Sequence, residues 1–159
     1  MNQQIAPCLW FTNEAKEAAE FYVSVFKNSK IETISYYPRE GFEEHHQKEG
    51  TVLTVVFQLN GQRFTALNGR EAFKFTEAVS FQVFCETQDE IDYFWERLSD
   101  GGEEGQCGWL KDKYGLSWQV VPSILGELIT DPAIAGKVVE AFMPMKKFDI
   151  EILKKAAQD

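Results

Sequence analysis

Apolar positions along this chain follow two rhythms, a period of two over short runs and a period near 3.6 over longer ones. Ile5 to Phe11 is a short apolar run and predicts a strand. Asn13 follows as a candidate N-cap, with Glu14 in the first turn. Ala15, Ala18, Ala19, Tyr22, Val23 and Phe26 then form one apolar stripe, which predicts a helix over Glu14 to Phe26. Ile31 to Tyr37 is β-branched and aromatic and predicts a strand, ended by Pro38, and Arg39 to Gly50 reads as a polar loop. Thr51 to Leu59 and Gln62 to Leu67 flank Asn60-Gly61, residue types suited to the two positive-φ positions of a type I′ turn, so a β-hairpin is predicted.

A second cycle starts at Ala78. Val79, Phe81 and Val83 alternate with Ser80, Gln82 and Phe84, the period of a strand with one apolar face. Thr87 and Glu90 have the spacing of a capping box. Ile91, Phe94, Trp95 and Leu98 give the stripe of a helix that Gly101-Gly102 stops. Cys107 to Lys111 and Leu116 to Val121 predict two further strands around a turn at Tyr114-Gly115. The strand starts at Ile5 and Ala78, and the aromatic pairs Phe21-Tyr22 and Phe94-Trp95, are both 73 positions apart (78 − 5 and 94 − 21), which suggests duplication of one unit. Beyond Pro122 the chain reads as helical. Asp131-Pro132 opens a helix with the stripe Ile134, Val138, Ala141 and Phe142, Pro144 ends it, and Asp149 caps a last helix to about Ala157. These helices are expected to pack on the sheet or on a partner subunit.

Composition narrows the function classes. The 159 residues suffice for a core burying roughly 70% of the unfolded surface without a disulfide or metal staple. A net charge of −9 with scattered basic residues argues against nucleic acid and against anionic membrane surfaces as partners. Cys8, Cys85 and Cys107 have no paired spacing and read as reduced thiols, and with no signal-peptide pattern at Met1 to Gln4 a cytoplasmic location is expected.

The layout resembles the vicinal-oxygen-chelate superfamily, the glyoxalase/bleomycin-resistance/dioxygenase fold, and more closely its PhnB-like branch. The segments LWF (Leu9 to Phe11), EAAEFYVSVF (Glu17 to Phe26), LNGREAFKFTEAVSFQVFC (Leu67 to Cys85) and CGWLKDKYGLSWQVVP (Cys107 to Pro122) carry the resemblance. It implies an α+β fold of paired βαβββ modules forming a cupped mixed sheet with helices outside, plus C-terminal helices. The whole of 1–159 is then one domain, with module one over about 1–76, module two over about 77–122 and C-terminal helices over about 123–159. Members of this branch have often carried the label 3-demethylubiquinone 3-methyltransferase. No strand–Gly-rich-turn–helix opening suited to a nucleotide cofactor is visible here.

In metal-dependent relatives, His, Glu or Gln from several strands hold a divalent ion. The matching positions carry Pro7, Ala78 and Gln119, and the strand Gln62 to Leu67 holds neither His nor acid. Pro and Ala donate no side-chain electron pair, and a stable site needs about three or four protein ligands, so no metal and no other cofactor is expected. His45-His46 among Glu43, Glu44 and Glu49 reads as a solvated loop rather than a converging site. Cys107 reads as structural because no base lies near it in sequence, and Asp112 reads as a turn residue.

Ser80, Gln82, Ser117 and Gln119 alternate with Val79, Phe81, Val83, Trp118 and Val120, so the polar set is expected to face the cavity. With Pro7 and Trp109 they form the expected ligand-binding set, and no catalytic residue is assigned. The preferred reading is a metal-free, small-molecule-binding homodimer, the dimer being implied by the resemblance. Two alternatives stand beside it: an enzyme of lyase, isomerase or transferase type, with or without a divalent metal, and a structural or regulatory dimer with a vestigial pocket.

Overall fold

The computed structural model describes residues 5–158, an α+β chain that divides into two compact units, Met1–Lys74 and Phe75–Asp159. The first unit runs β1 (Cys8–Phe11), α1 (Ala15–Val25), β2 (Lys30–Tyr36), α2 (Phe42–His45), β3 (Val52–Leu59) and β4 (Gln62–Asn68). Its four strands lie in the order β1-β4-β3-β2, with β1 parallel to β4 and the rest antiparallel. The second unit runs β5 (Ser80–Cys85), α3 (Gln88–Ser99), β6 (Glu103–Glu104), β7 (Trp109–Lys111) and β8 (Ser117–Pro122), in the equivalent order β5-β8-β7-β6. Three helices follow, α4 (Leu125–Thr130), α5 (Ala135–Phe142) and α6 (Ile150–Gln158). Both units therefore pair their first and last strands in parallel, and α1 and α3 start 73 positions apart (88 − 15), the spacing found in the sequence.

Hydrophobic burial explains each module. Ala15, Ala18, Ala19, Tyr22 and Val25 of α1 are buried, as are Leu9, Phe11, Val55, Phe57, Phe64 and Ala66, which point to one face of the first sheet. Tyr22 stacks on Phe57, and Phe57 on Phe64. In the second unit Ile91, Trp95 and Leu98 of α3 are buried, as are Val83, Cys85, Leu110, Trp118 and Val120 on one face of the second sheet. Each large aliphatic or aromatic side chain so placed contributes about 1.5–3 kcal/mol of transfer free energy.

Turn chemistry fixes the registers. Asn60 and Gly61 both have positive φ (47° and 84°), the pair that a two-residue hairpin with right-handed strand twist requires. The β7–β8 turn is built on the buried Asp112, whose Oδ1 accepts from Tyr114 N at 2.9 Å and Leu116 N at 3.1 Å, while its Oδ2 accepts from Trp118 Nε1 at 2.8 Å. The C-terminal helices fold onto their own unit. Gln88 donates to Phe148 O at 3.0 Å and accepts from Ile150 N at 3.0 Å, and the backbone amides of Cys107 and Gly108 bond to Met145 O and Lys146 O. Gly108, at φ 80°, admits the buried Phe148, since a Cβ there would sit 2.5 Å from its ring.

Several element boundaries differ from the sequence expectation, each for a local reason. The first strand starts at Cys8 rather than Ile5, and Pro7, which has no N–H, contributes only its carbonyl, which accepts from Thr65 N. The second-module strand starts at Ser80, leaving Val79 64% exposed ahead of it. Cys107 and Gly108 take positive φ, so the strand expected from Cys107 begins at Trp109, and the short β6 precedes it. The loop after Pro38 holds the single turn α2 between Gly41 and His46, both left-handed. The helix expected from Asp131-Pro132 starts at Ala135. Asp131 caps the turn before it, its Oδ1 accepting from Ala133 N at 2.9 Å, and α4 precedes both. Asp149 caps α6 as expected, accepting from Ile152 N at 3.1 Å.

Two caps are also built differently. Thr87 Oγ1 accepts from Glu90 N at 3.2 Å, but the Glu90 carboxylate returns to Glu86 N, one residue earlier than in a standard box. Asn13 does not cap α1. The α1 N-cap position is Glu14, and the acceptor for Ala15 N is Asn68 Oδ1 at 2.9 Å, reaching over from β4. Asn68 Nδ2 also donates to Val52 O at 3.1 Å, so one buried amide joins the helix start to β3 and β4. Asn68→Ala should therefore cost about 1–3 kcal/mol in chemical denaturation, and Asn13→Ala under about 0.5 kcal/mol. The reverse order would restore Asn13 as the cap.

Candidate functional site

Ladder partners in a sheet share a face, so the register of the second sheet settles what lines each side. Ser80 pairs with Ser117, Gln82 with Gln119, Trp109 with Gln119, and Lys111 with both Ser117 and Glu103. Ser80, Gln82, Trp109, Ser117 and Gln119 thus lie together on the face opposite the α3-facing residues Val83, Trp118 and Val120. The structure brings together these five of the six residues singled out in the sequence. Pro7 belongs to the first unit, half-buried just before β1.

Hydrogen bonding on this face is partly complete. Gln119 Nε2 donates to Ser80 Oγ at 2.8 Å, joining β8 to β5. Gln82 is exposed and Trp109 half-buried. Ser117 is 1% exposed, and its Oγ is the buried side-chain polar atom without a hydrogen-bond partner among the described residues. A surface depression of about 170 Å³ lies at this end of the face, its lining including Glu77, Glu103, Trp109, Lys111 and Ser117. Ser80, Gln82 and Gln119 are not part of that lining. At this size it accommodates a headgroup rather than a whole drug-sized ligand, which needs about 300–1,000 Å³.

Sequence reasoning missed the charged groups of the depression. Lys111 Nζ and Glu77 Oε1 are 2.5 Å apart. Their hydrogen bond, then for Glu77 one from its own backbone amide, and then their mutual charge hold the Glu77 carboxyl below its ordinary range and the Lys111 ammonium above its own. Lys111 could have been placed by its spacing of two from Trp109. Glu77 precedes the strand in an irregular stretch, and no local pattern aims it there. The Glu104 carboxylate is engaged elsewhere, accepting from Trp95 Nε1 at 2.9 Å and lying 3.8 Å from Lys146 Nζ.

The donor set does not fit a metal ion. Among the described residues no three or more His, Cys, Asp or Glu side chains are grouped to hold one. Of the positions matching the ligands of metal-dependent relatives, Pro7 and Ala78 offer no side-chain donor, and the Gln119 amide is turned to Ser80. His45 and His46 do not converge. His45 Nδ1 accepts from Gln47 N at 2.9 Å and its ring lies on Tyr37, while His46 takes the left-handed conformation that ends α2. Cys107 is half-buried, its Sγ 3.8 Å from the carbonyls of Phe142 and Met143.

The family model described as 3-demethylubiquinone-9 3-methyltransferase matches residues 3–121. Among solved structures, a PhnB protein from Bacillus cereus, described with that same methyltransferase title, is 39% identical with a TM-score of 0.68, over 76% of this chain and 100% of that one. The fosfomycin resistance protein FosX from Listeria monocytogenes shares the fold at 17% identity and a TM-score of 0.53, over 80% of this chain and 96% of that one. FosX from Mesorhizobium loti does so at 9% identity and 0.54, with the same coverages. No curated protein matches the chain. No helix among the described residues is long and apolar enough to cross a membrane.

On the opposite, helix-facing side of β5 the Cys85 thiol is pushed up from 9.0 to about 12 by burial, and secondarily by the Glu90 and Glu86 carboxylates. The folded chain therefore keeps this proton where the unfolded chain has already lost it. The resulting stabilisation is intact below pH 9 and is lost as pH rises towards 12. Chemical denaturation at about pH 8 and about pH 10.5 should show wild type losing roughly 2 kcal/mol relative to Cys85→Ala. A gap that stays constant with pH would contradict the buried neutral thiol.

Proposed function

Because the chain belongs to the 3-demethylubiquinone-9 3-methyltransferase family, in the PhnB-like branch of the vicinal-oxygen-chelate superfamily, we propose that it binds a small organic molecule on the polar face of its second sheet, without a metal ion. One observation carries this reading. Ser80, Gln82, Trp109, Ser117 and Gln119 share a face that presents neutral hydrogen-bonding groups beside an indole, and one of those groups, the Ser117 hydroxyl, is buried and unsatisfied. Aromatic surface with a few placed polar groups is the usual make-up of a small-ligand site.

The family's methyltransferase title does not carry over to a mechanism. The turns from β1 to α1 (Thr12, Asn13, Glu14) and from β5 to α3 (Glu86, Thr87) contain no glycine, so neither forms a phosphate-binding loop for a nucleotide-derived methyl donor. The resistance named for the FosX proteins is theirs, and only their fold bears on this chain.

The proposal includes a cytoplasmic homodimer. Its support is the edge strand β5, where Phe84 is 62% exposed and follows the exposed Val79, and the three free cysteines. Sedimentation as a monomer at micromolar concentration would remove the dimer from it.

A screen of small polar compounds by thermal shift, with hits mapped by amide chemical shifts, tests the binding surface. Hits should perturb Ser80, Gln82, Trp109 and Gln119, and Gln119→Ala should weaken them about tenfold, the worth of one net hydrogen bond. Hits that map away from this face would overturn the assignment.

A further inference from the structure

The Lys111–Glu77 ion pair occupies a particular place on this face. Ser117 opens β8, with Ser80 of β5 as its ladder partner on one side and Lys111 of β7 on the other. Glu77 stands three residues before Ser80, yet its carboxylate reaches Lys111 Nζ. The bridge therefore crosses β8 at Ser117, the residue whose hydroxyl has no partner. Two donors, an ammonium and a hydroxyl, thus sit side by side on neighbouring strands, and a carboxylate of the chain itself satisfies only the first.

Resting on the reading of this face as a ligand surface, we propose that Lys111 and Ser117 anchor the carboxylate of the ligand and that Glu77 is the internal competitor that occupies the anchor in its absence. The ligand exchanges one carboxylate for another on Lys111 and adds the hydrogen bond from Ser117 that Glu77 does not supply. Opening the bridge is easy, because its side chains are 36% and 59% exposed and an ion pair so wet is weak. Glu77 also lies exposed in the irregular stretch between β4 and β5, outside the ladder that holds Lys111. Glu103, the ladder partner of Lys111, restricts the charge of the ligand. Once Glu77 has moved out, the Lys111 ammonium still has Glu103 as its ladder partner and Glu104 in the same lining, a balance that tolerates a singly charged carboxylate and repels a dianion. Trp109, on the same face at a spacing of two from Lys111, offers a ring for the body of the ligand, which favours aromatic carboxylates.

Benzoate is the probe, with benzamide as its uncharged counterpart and inorganic phosphate as the tetrahedral anion, each titrated into the full chain and followed by amide and indole chemical shifts. Glu77→Gln should bind benzoate about three- to tenfold more tightly than wild type. Ser117→Ala should weaken it about fivefold, and Lys111→Gln by at least about tenfold. An unchanged affinity in Glu77→Gln, retained affinity in Lys111→Gln, or phosphate binding as tightly as benzoate would each overturn the proposal. Benzamide matching benzoate on Trp109 and Gln119 would remove the anchor and leave the binding surface standing. No perturbation of this face by either compound would remove both.

Discussion

The parallel ladder between β5 and β8 sets the geometry on which the candidate site depends. Side chains alternate with a period of two, so a slip of one residue would carry every polar group on the face to the side of α3. The register is pinned from the apolar side, where Val83 and Val120 pair and pack with Trp118 and Leu110 beneath Ile91, Trp95 and Leu98. Asp112 fixes it again from the turn, holding the backbone of β8 at Leu116 and the indole of Trp118 with one buried carboxylate. The polar face is thus positioned by what lies behind it, and its own side chains are tied to one another by the Ser80–Gln119 bond and the Lys111–Glu77 ion pair.

The two modules use the same plan with different fastenings. Each pairs its first and last strand in parallel and sets one helix across the result. In the first, a buried side-chain amide, that of Asn68, ties the helix start to the neighbouring strands, and Tyr37 Oη donates to the Asn68 backbone carbonyl at 2.5 Å. In the second, a Thr87 cap and Gln88 take that role, and Gln88 also ties down the C-terminal segment. The duplicated topology needs only a helix start that is satisfied, by whichever polar side chain the sequence places within reach.

Much of this was legible from the chain because it rests on short-range rules. Helix stripes, the Asn60-Gly61 hairpin, the Asp112 turn and the Asp149 cap depend on residues a few positions apart, and alternation alone put Ser80, Gln82, Ser117 and Gln119 on one face, which the register extends to Trp109. What escaped depends on distance in sequence or on backbone conformation. Nothing local marks Asn68 as the cap of a helix 53 positions earlier. The positive φ of Cys107 and Gly108, which shortens β7, answers to Phe148 in a later segment. The Lys111–Glu77 bridge is a contact across three strands, and without it the face reads as neutral when it holds a closed pair of charges.

The proposal of binding without a metal rests on the donor set, since Pro7 and Ala78 carry no side-chain donor and the Gln119 amide is turned to Ser80. The direct test is the metal content of tag-free protein purified without chelators, followed by calorimetric titration with Zn, Ni, Mn, Fe and Co. Metal-free protein that takes up none of these ions is the expected result. One equivalent of metal, bound by wild type and lost in Gln119→Ala, would contradict it and make this face a metal centre.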